Sequence, residues 1–285
     1  MYPEALAVLR CPHPPHAALE LAAGARYAPD GAVLDGRLRA VDNADRHYPI
    51  RDGIVDLLGG ARLPLTPAQI TNYLPLTAWG YERLWRGRAL TLLSGEEFGH
   101  ARELPLLCRL MQPERGGVYL DVACSNGLYA RALAAATHTD LLAATPPPAT
   151  IIGIDHSLPM LRQARAYALQ HRLRITYVRA SAQALPIAGV AVAGVAMGGS
   201  LNEIGDRRAF FAEARRVLEP HGRMVLMHLV QAGDSIGQVV QAVLGTGGID
   251  FPPLATIHAE LGQAQFHLLD ETQHGVVVFS AWQPA

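Results

Sequence analysis

The stretch VYLDVACSNGLYARALA, residues 118–134, decides the fold. It begins with an apolar run typical of a buried strand and ends in an alanine- and leucine-rich segment typical of a helix. Between them lie the small residues Ala123, Ser125 and Gly127, which let a ligand approach the backbone closely. The N–H groups at the start of the helix favour an anionic group there. This unit therefore predicts a ligand site at the end of a sheet strand.

Outward from this unit, short apolar runs alternate with helical stretches, which is typical of repeated βα units and a parallel sheet. The segment 266–282 instead has two apolar runs joined by a polar turn, and this pattern predicts an antiparallel hairpin. We therefore predict an α/β fold, with a doubly wound, mostly parallel sheet of seven strands closed by that hairpin. The core strands predicted before the hairpin are 118–122, 151–155, 175–179, 190–197 and 223–230.

Three regions are predicted along the chain. Residues 1–60 are rich in turn formers and short apolar runs and predict a small β-rich module. Residues 61–112 carry helical spacings broken by prolines and glycines, which predict a lid or linker of short helices. Residues 113–285 form the ligand-binding domain. The middle region also contains a cluster of aromatic residues. We predict that they either cover the pocket for a small molecule or only pack a helix. They are Tyr73, Trp79, Tyr81 and Trp85.

The composition excludes several chemistries. All 24 basic side chains are arginine, so Schiff-base, phosphate-loop-lysine and Ser-Lys chemistries are ruled out. A net charge of −1 gives no reason to expect a nucleic acid partner. Three scattered cysteines, and the lack of a leader pattern or a long apolar run, predict a cytoplasmic protein without a membrane span.

A carboxylate at the end of the second predicted strand, Asp155, indicates a nucleotide-like ligand because it can accept both hydroxyls of a ribose. Two cofactor classes share this layout. A dinucleotide-binding turn requires a small residue at position 128, where this chain has Leu128. The spacing therefore favours S-adenosylmethionine over NAD.

Five segments in order resemble class I S-adenosylmethionine-dependent methyltransferases, in the type 11 subgroup related to quinone-biosynthesis methyltransferases. The resemblance covers roughly residues 66–285, and by itself implies both fold and cofactor. After the first motif at 118–134, the similar segments are GIDHSLPMLRQAR (153–165), YVRASAQALP (177–186), GVAMGGSLNEI (194–204) and FFAEARRVLEPHGRMVL (210–226).

The resemblance implies a set of cofactor-binding residues, and a mechanism in which the protein holds a nucleophile in line with an activated methyl group and excludes water. The methionine part is assigned to Asp121, Ala123, Ser125 and Gly127, the ribose to Asp155 and His156, the adenine to Met160, Ser181 and Ala182, and closure of the site to Met197.

Two positions depart from the family pattern. Ser125 stands where glycine is usual, and a left-handed backbone there costs about 1 kcal/mol with serine. Ser181 stands where an aspartate usually meets the adenine, and losing that acceptor costs about 1–2 kcal/mol. Together these departures predict cofactor binding weaker by roughly one to two decades.

The N-terminal module resembles a zinc ribbon that has lost its metal. Of the four thiolates that such a ribbon needs, Cys11 remains, while Pro14, Val41 and Ala44 occupy the other positions. We therefore predict no metal. The alternative is an improvised site built from Cys11, His13, His16 and His47.

Two polar residues near the predicted ends of the fourth and fifth strands, Asn202 and His228, are predicted to face the methyl acceptor. His228 is either a general base for a phenol or enol or a hydrogen-bonded core histidine. The predicted function is methyl transfer to an apolar small molecule, favoured by the apolar segment 236–254, with the oligomeric state left open. The alternatives are a catalytically weak or inactive cofactor-binding regulatory protein and a nicotinamide-dependent oxidoreductase.

Overall fold

The structure, a computed structural model, describes residues 1–60, 99–137 and 149–285 of the chain. The predicted aromatic cluster Tyr73, Trp79, Tyr81 and Trp85 lies outside the described residues, as does most of the predicted lid or linker.

The described strands form one sheet of twelve. Its order is β1-β3-β4-β5-β8-β7-β6-β9-β10-β12-β11, and β2 pairs with β3 at one side. The N-terminal strands are β1 (Leu19–Leu21), β2 (Arg26–Tyr27), β3 (Val33–Ala40), β4 (Asn43–Arg51) and β5 (Ile54–Asp56). The others are β6 (Val118–Val122), β7 (Thr150–Asp155), β8 (Ile175–Arg179), β9 (Val192–Gly198), β10 (Leu218–Leu229), β11 (Phe266–His274) and β12 (Val277–Pro284).

Side-chain caps fix where several helices begin. Ser157 accepts a hydrogen bond from the Met160 N–H, and Asp206 accepts one from the Ala209 N–H. The helices of the described residues are α1 (His100–Met111), α2 (Leu128–Ala136), α3 (Leu158–Gln170), α4 (Arg207–Val217), α5 (Ser235–Gly245) and α6 (Leu254–Gln263).

The central strands β8, β7, β6, β9 and β10 run parallel, and β12 pairs antiparallel with both β10 and β11. The mixed α/β class and the terminal hairpin are thus confirmed. The chain moves from β6 to β7 and β8 in one direction and then returns to β9 on the other side of β6. Strand order therefore reverses between β6 and β9, which is where open α/β sheets bind ligands.

The β-rich N-terminal segment extends the same sheet. Strand β5 pairs in parallel with β8, and Arg179 Nη1 lies 3.0 Å from Asp56 Oδ2 across this junction. Arg179 Nε also donates to the backbone oxygen of His156, at the end of β7. The predicted N-terminal module is therefore paired directly with β8, next to the strand ends where the ligand site is predicted.

Both faces of the central sheet are buried, because strand residues alternate between them. Leu120 and Ile152 pack on one face against Phe210 of α4, whereas Tyr119 and Tyr177 pack on the other against Leu133 of α2. Burial on both faces explains why these parallel strands read as continuous apolar runs.

Strand β10 begins at Leu218, earlier than the predicted 223. Its pairing with β9 jumps from Leu218 to Arg223. Pro220 lies just beyond the end of α4, in an irregular part of the strand where no ladder hydrogen bond from its nitrogen is needed.

The apolar segment after β10 forms α5, whose aliphatic side chains are largely exposed; Ile236 is 80% exposed. The others on this helix are Val239, Val240, Val243 and Leu244. No helix of the described residues is long and apolar enough to cross a bilayer.

Candidate functional site

The turn that follows β6 is sharply bent. Ala123, Ser125 and Gly127 have φ values of 53°, 50° and 76°, so three residues of this turn adopt the left-handed conformation. Such a backbone strains residues other than glycine, and Ser125 adopts it. The turn folds the backbone over the end of β6 and directs the chain into α2.

Packing also requires glycine at position 127. A Cβ atom added there lies 2.7 Å from the hydroxyl oxygen of Tyr177, a side chain buried beneath the turn. The absence of a side chain at Gly127 therefore lets the start of α2 rest directly on β8.

The Asp155 carboxylate fixes this turn from the neighbouring strand. Its Oδ2 accepts the Ser125 N–H at 2.8 Å, and its Oδ1 accepts the Ser157 N–H at 2.7 Å. A carboxylate offers about four acceptor positions, so each oxygen keeps capacity for a further donor. Asp155 is 7% exposed at the reversal of strand order, and its remaining capacity fits the two hydroxyls of a ribose.

On the other side of β6, the turn after β9 contacts the same loop. Ser200 Oγ donates to the backbone oxygen of Ala123 at 3.2 Å. Gln183 Nε2 donates to the backbone oxygen of Ile204, and Gln183 Oε1 accepts the Ser181 hydroxyl at 2.8 Å. The segments after β6, β8 and β9 are therefore linked around one space.

Glu203 directly follows the turn after β9, and it is not among the predicted site residues. Burial, followed by the charge of Asp155, raises the pKa of Glu203 to about 7. Perturbed carboxyl groups of this kind are common at functional sites. The available sequence signal is an acidic residue in GSLNEI, directly after a buried strand.

Residues 120–222 match a family model described as a methyltransferase domain. That range contains β6 and its turn, Asp155 and the turn after β9. This part of the chain is therefore similar to a methyltransferase domain.

Among curated relatives, this chain is similar to the ubiquinone/menaquinone biosynthesis C-methyltransferase UbiE of Syntrophotalea carbinolica. The two are 30% identical over 156 residues, which is 55% of this chain and 54% of the relative. The chain thus spans about half the length of that relative.

Solved structures share the fold at lower identity. A Haemonchus contortus phosphoethanolamine N-methyltransferase, in complex with phosphomonomethylethanolamine and S-adenosylhomocysteine, has a TM-score of 0.55 at 16% identity and covers 73% of this chain and 47% of its own. The [4+2]-cyclase SpnF has a TM-score of 0.56 at 16% identity and covers 79% and 99%. The fold alone thus accompanies more than one chemistry.

Several residues assigned to the cofactor by resemblance lie beneath the candidate site. Asp121 is buried and accepts the Ala130 N–H at 2.8 Å, which caps α2. Met160 and Met197 are fully buried, and the Ser125 hydroxyl lies 3.5 Å from Met160 Sδ. These three side chains support the site from below rather than present a surface to a ligand.

The other assigned residues lie around the open side. Ala123, Ser125, His156, Ser181 and Ala182 are partly exposed at the ends of β6, β7 and β8. The Ser181 hydroxyl is bound by Gln183, which also donates its backbone N–H to that oxygen at 3.2 Å. Their roles toward the cofactor stay predictions.

The prediction that Asn202 faces the acceptor requires correction. Asn202 Nδ2 donates to the backbone oxygens of Leu229 and Asp250, at 2.8 and 2.6 Å, and its Oδ1 accepts the Leu229 N–H at 2.9 Å. Both amide protons are thus used, and the side chain is 4% exposed. Asn202 therefore joins three segments through hydrogen bonds: the turn after β9, the end of β10 and the segment before α6.

His228 does not face the acceptor, and its placement agrees with the alternative prediction of a core histidine. His228 is 0% exposed, and among residues 1–60, 99–137 and 149–285 neither of its ring nitrogens has a hydrogen-bond partner. Burial, with a smaller effect from His258, lowers the pKa of His228 to about 4. This imidazole is therefore a buried core group that stays neutral near pH 7.

Cys124 lies within the turn and is buried. Burial raises the pKa of its thiol well above the usual value, with smaller contributions from Asp121 and Asp155. A thiol in this state is a poor nucleophile.

The N-terminal strands do not show a zinc ribbon. Cys11 is fully buried and contacts the Tyr48 hydroxyl at 3.1 Å, while His16 Nδ1 lies 3.1 Å from the backbone oxygen of Cys11. Within residues 1–60, 99–137 and 149–285, no group of three or more His, Cys, Asp or Glu side chains is placed to hold a metal. The improvised site at Cys11, His13, His16 and His47 is therefore not supported.

Proposed function

We propose that this chain is an S-adenosylmethionine-dependent methyltransferase that acts on an apolar small molecule. The observation that carries the proposal is the position of Asp155. Its carboxylate stands at the reversal of strand order, fixes the turn after β6, and keeps an acceptor position on each oxygen.

The residues of the site fit the parts of this cofactor. Asp155 would hold the ribose hydroxyls, and the N-terminus of α2 favours the carboxylate of the methionine part. Ser181 and Ala182, after β8, would flank the adenine. The cofactor supplies a methyl group already activated on sulfur, so the protein's task is to hold the acceptor in line and exclude water.

An apolar acceptor is supported by α5, which follows β10. Strand β10 ends at the same edge of the sheet as β6 and β9, and α5 contains no charged residue while exposing aliphatic side chains. Pockets for such acceptors are mostly apolar. The similarity to a relative named for ubiquinone and menaquinone biosynthesis supports a quinone-like ring as one candidate.

Calorimetric titration tests cofactor choice directly. We expect S-adenosylmethionine and S-adenosylhomocysteine to bind and NAD to produce neither heat nor thermal protection. Transfer of a labelled methyl group into a component of a lipid extract then tests the reaction. Protection by NAD without binding of the sulfonium compound would favour the oxidoreductase instead.

A cofactor-binding regulatory protein is a second candidate. It is favoured by Ser181, whose hydroxyl is engaged by Gln183 where the family usually has an aspartate. Binding of S-adenosylmethionine without methyl transfer to any extract component would support this candidate.

A further inference from the structure

A cavity lies at the end of the sheet opposite Asp155. Its walls come from the end of α1, the 3₁₀ turn Pro113–Arg115 and the first residues of β6, β9 and β10. Because these strands are parallel, the five residues of β6 separate the cavity from the candidate site by roughly 16 Å. The cavity has a volume of about 270 Å³, and its polar lining includes Arg115, Gly117, Tyr119, Glu219, His221 and Arg223.

Two arginine side chains line this cavity without a carboxylate partner. Among the residues that the structure describes, neither Arg115 nor Arg223 forms an ion pair. Arg223 Nη1 donates to the backbone oxygen of Leu110 at 3.0 Å, which holds this guanidinium against the end of α1. A guanidinium has five N–H donors, so Arg223 keeps donors for a ligand.

The two guanidinium groups oppose each other electrostatically. Burial, followed by the charge of Arg115, lowers the pKa of Arg223. Glu219 also lines the cavity, but its single charge offsets only one of the two arginines, so the charged side chains of the lining carry one net positive charge. An anion between the arginines replaces their repulsion with two attractions.

The lining also offers a backbone donor and an apolar surface. Gly117 has a φ of 93°, and its N–H has no acceptor within the described ranges of the chain. Guanidinium groups and free backbone N–H groups are the donors that bind phosphate oxygens in proteins. Met111 and Ala193 add apolar surface beside them.

We propose that this cavity is a binding site for a phosphate group, held by Arg115, Arg223 and the Gly117 N–H. Phosphate is favoured over a carboxylate because its three acceptor oxygens and charge of about −2 match two guanidinium groups and a backbone donor. The volume lies just below the range of about 300–1,000 Å³ for drug-sized ligands, so it fits a small phosphate compound. This inference does not depend on the proposed function.

Titration with inorganic phosphate, at pH 7.5 and at an ionic strength kept constant with sodium chloride, tests the site. Amide resonances of ¹⁵N-labelled protein report where the ion binds. We expect saturable shifts at Gly116, Gly117 and Gly222, with a Kd on the order of 1 mM. Shifts centred on Gly127, at the start of α2, would place the ion in the crevice instead and overturn the proposal.

Matched variants assign the binding to the cavity. Arg115→Gln and Arg223→Gln should each weaken phosphate binding by about tenfold. Glu219→Gln removes the negative charge of the lining and should tighten binding by about two- to threefold. Arg39→Gln is the control, because it makes the same change of charge at an exposed position of β3, where the arginine pairs with Glu20, and it should leave the Kd unchanged.

Phenyl phosphate distinguishes two sources of the phosphate group. Tighter binding than inorganic phosphate assigns the cavity to an organic phosphate, and equal or weaker binding assigns it to the free ion. Shifts that rise without saturation, or a wild-type Kd in the folded Arg115→Gln protein, would overturn the proposal. Thermal unfolding confirms that each variant is folded, and failure to bind S-adenosylmethionine would remove the proposed function while leaving this site intact.

Discussion

The backbone N–H of Ser125 donates a 2.8 Å hydrogen bond to Oδ2 of Asp155, joining the turn after β6 to the end of β7. The same carboxylate binds the Ser157 N–H ahead of α3. A single side chain therefore shapes the turn and supplies acceptor positions for a ligand.

Asp155→Asn should weaken S-adenosylmethionine binding by about 10- to 100-fold, because an amide replaces one acceptor oxygen with a donor. One of the two backbone N–H groups then loses its partner, so the free energy of unfolding should fall by about 1–3 kcal/mol. Calorimetry and urea unfolding measure the two effects. Asp234→Asn is the control, because Asp234 caps α5 by accepting the Gly237 N–H and asparagine caps equally well. Unchanged affinity in Asp155→Asn would remove the ribose assignment.

Replacement of Ser125 by glycine should stabilise the protein by about 1 kcal/mol, because Ser125 has a φ of 50° and glycine adopts that conformation without strain. The midpoint of urea unfolding measures this gain in stability. Ala135→Gly, at an exposed position inside α2, should instead destabilise by roughly 0.5–1 kcal/mol. A loss of stability in both variants would show that the Ser125 hydroxyl, near Met160 Sδ, outweighs the strain.

His228 should reduce stability in acid. The unfolded chain takes up a proton on this histidine near pH 6.5 and the native state only near pH 4, so the free energy of unfolding falls as the pH decreases between these values. His228→Met removes this loss, which amounts to about 2 kcal/mol between pH 7 and pH 5. Urea unfolding at the two pH values measures it, with exposed His267→Gln as the control. The same acid-induced loss in His228→Met and wild type would contradict a buried neutral imidazole.

Features that depend on local pattern were predictable. The strands at 118–122 and 175–179 coincide with β6 and β8, because strands buried on both faces are continuous apolar runs bounded by polar or small residues. The cap at Ser157 is also a local feature, because it depends only on residues within one turn of the helix.

Features that depend on distant pairing were not predictable. The pairing of Ile54 with Tyr177 joins segments far apart in the chain, and no local signal encodes it. The raised pKa of Glu203 depends on burial and on Asp155, which only the folded arrangement brings together. Asn202 was selected from its place after a strand, but its partners at Leu229 and Asp250 decide its role.

Asn202→Ala should destabilise the protein by about 2–4 kcal/mol, because it removes three partly buried hydrogen bonds and leaves backbone groups of Leu229 and Asp250 without their partner. Urea unfolding measures the change, and affinity for S-adenosylmethionine measured below the unfolding transition should stay within about threefold of wild type. Gln283→Ala is the control, since that amide makes an exposed 3.3 Å bond to Pro220 and its loss should cost less than about 0.5 kcal/mol. The contrary outcome is full stability and unchanged cofactor affinity in Asn202→Ala, together with loss of methyl transfer. That result would return Asn202 to the acceptor site, because neither unfolding nor weaker cofactor binding would then explain the loss of turnover.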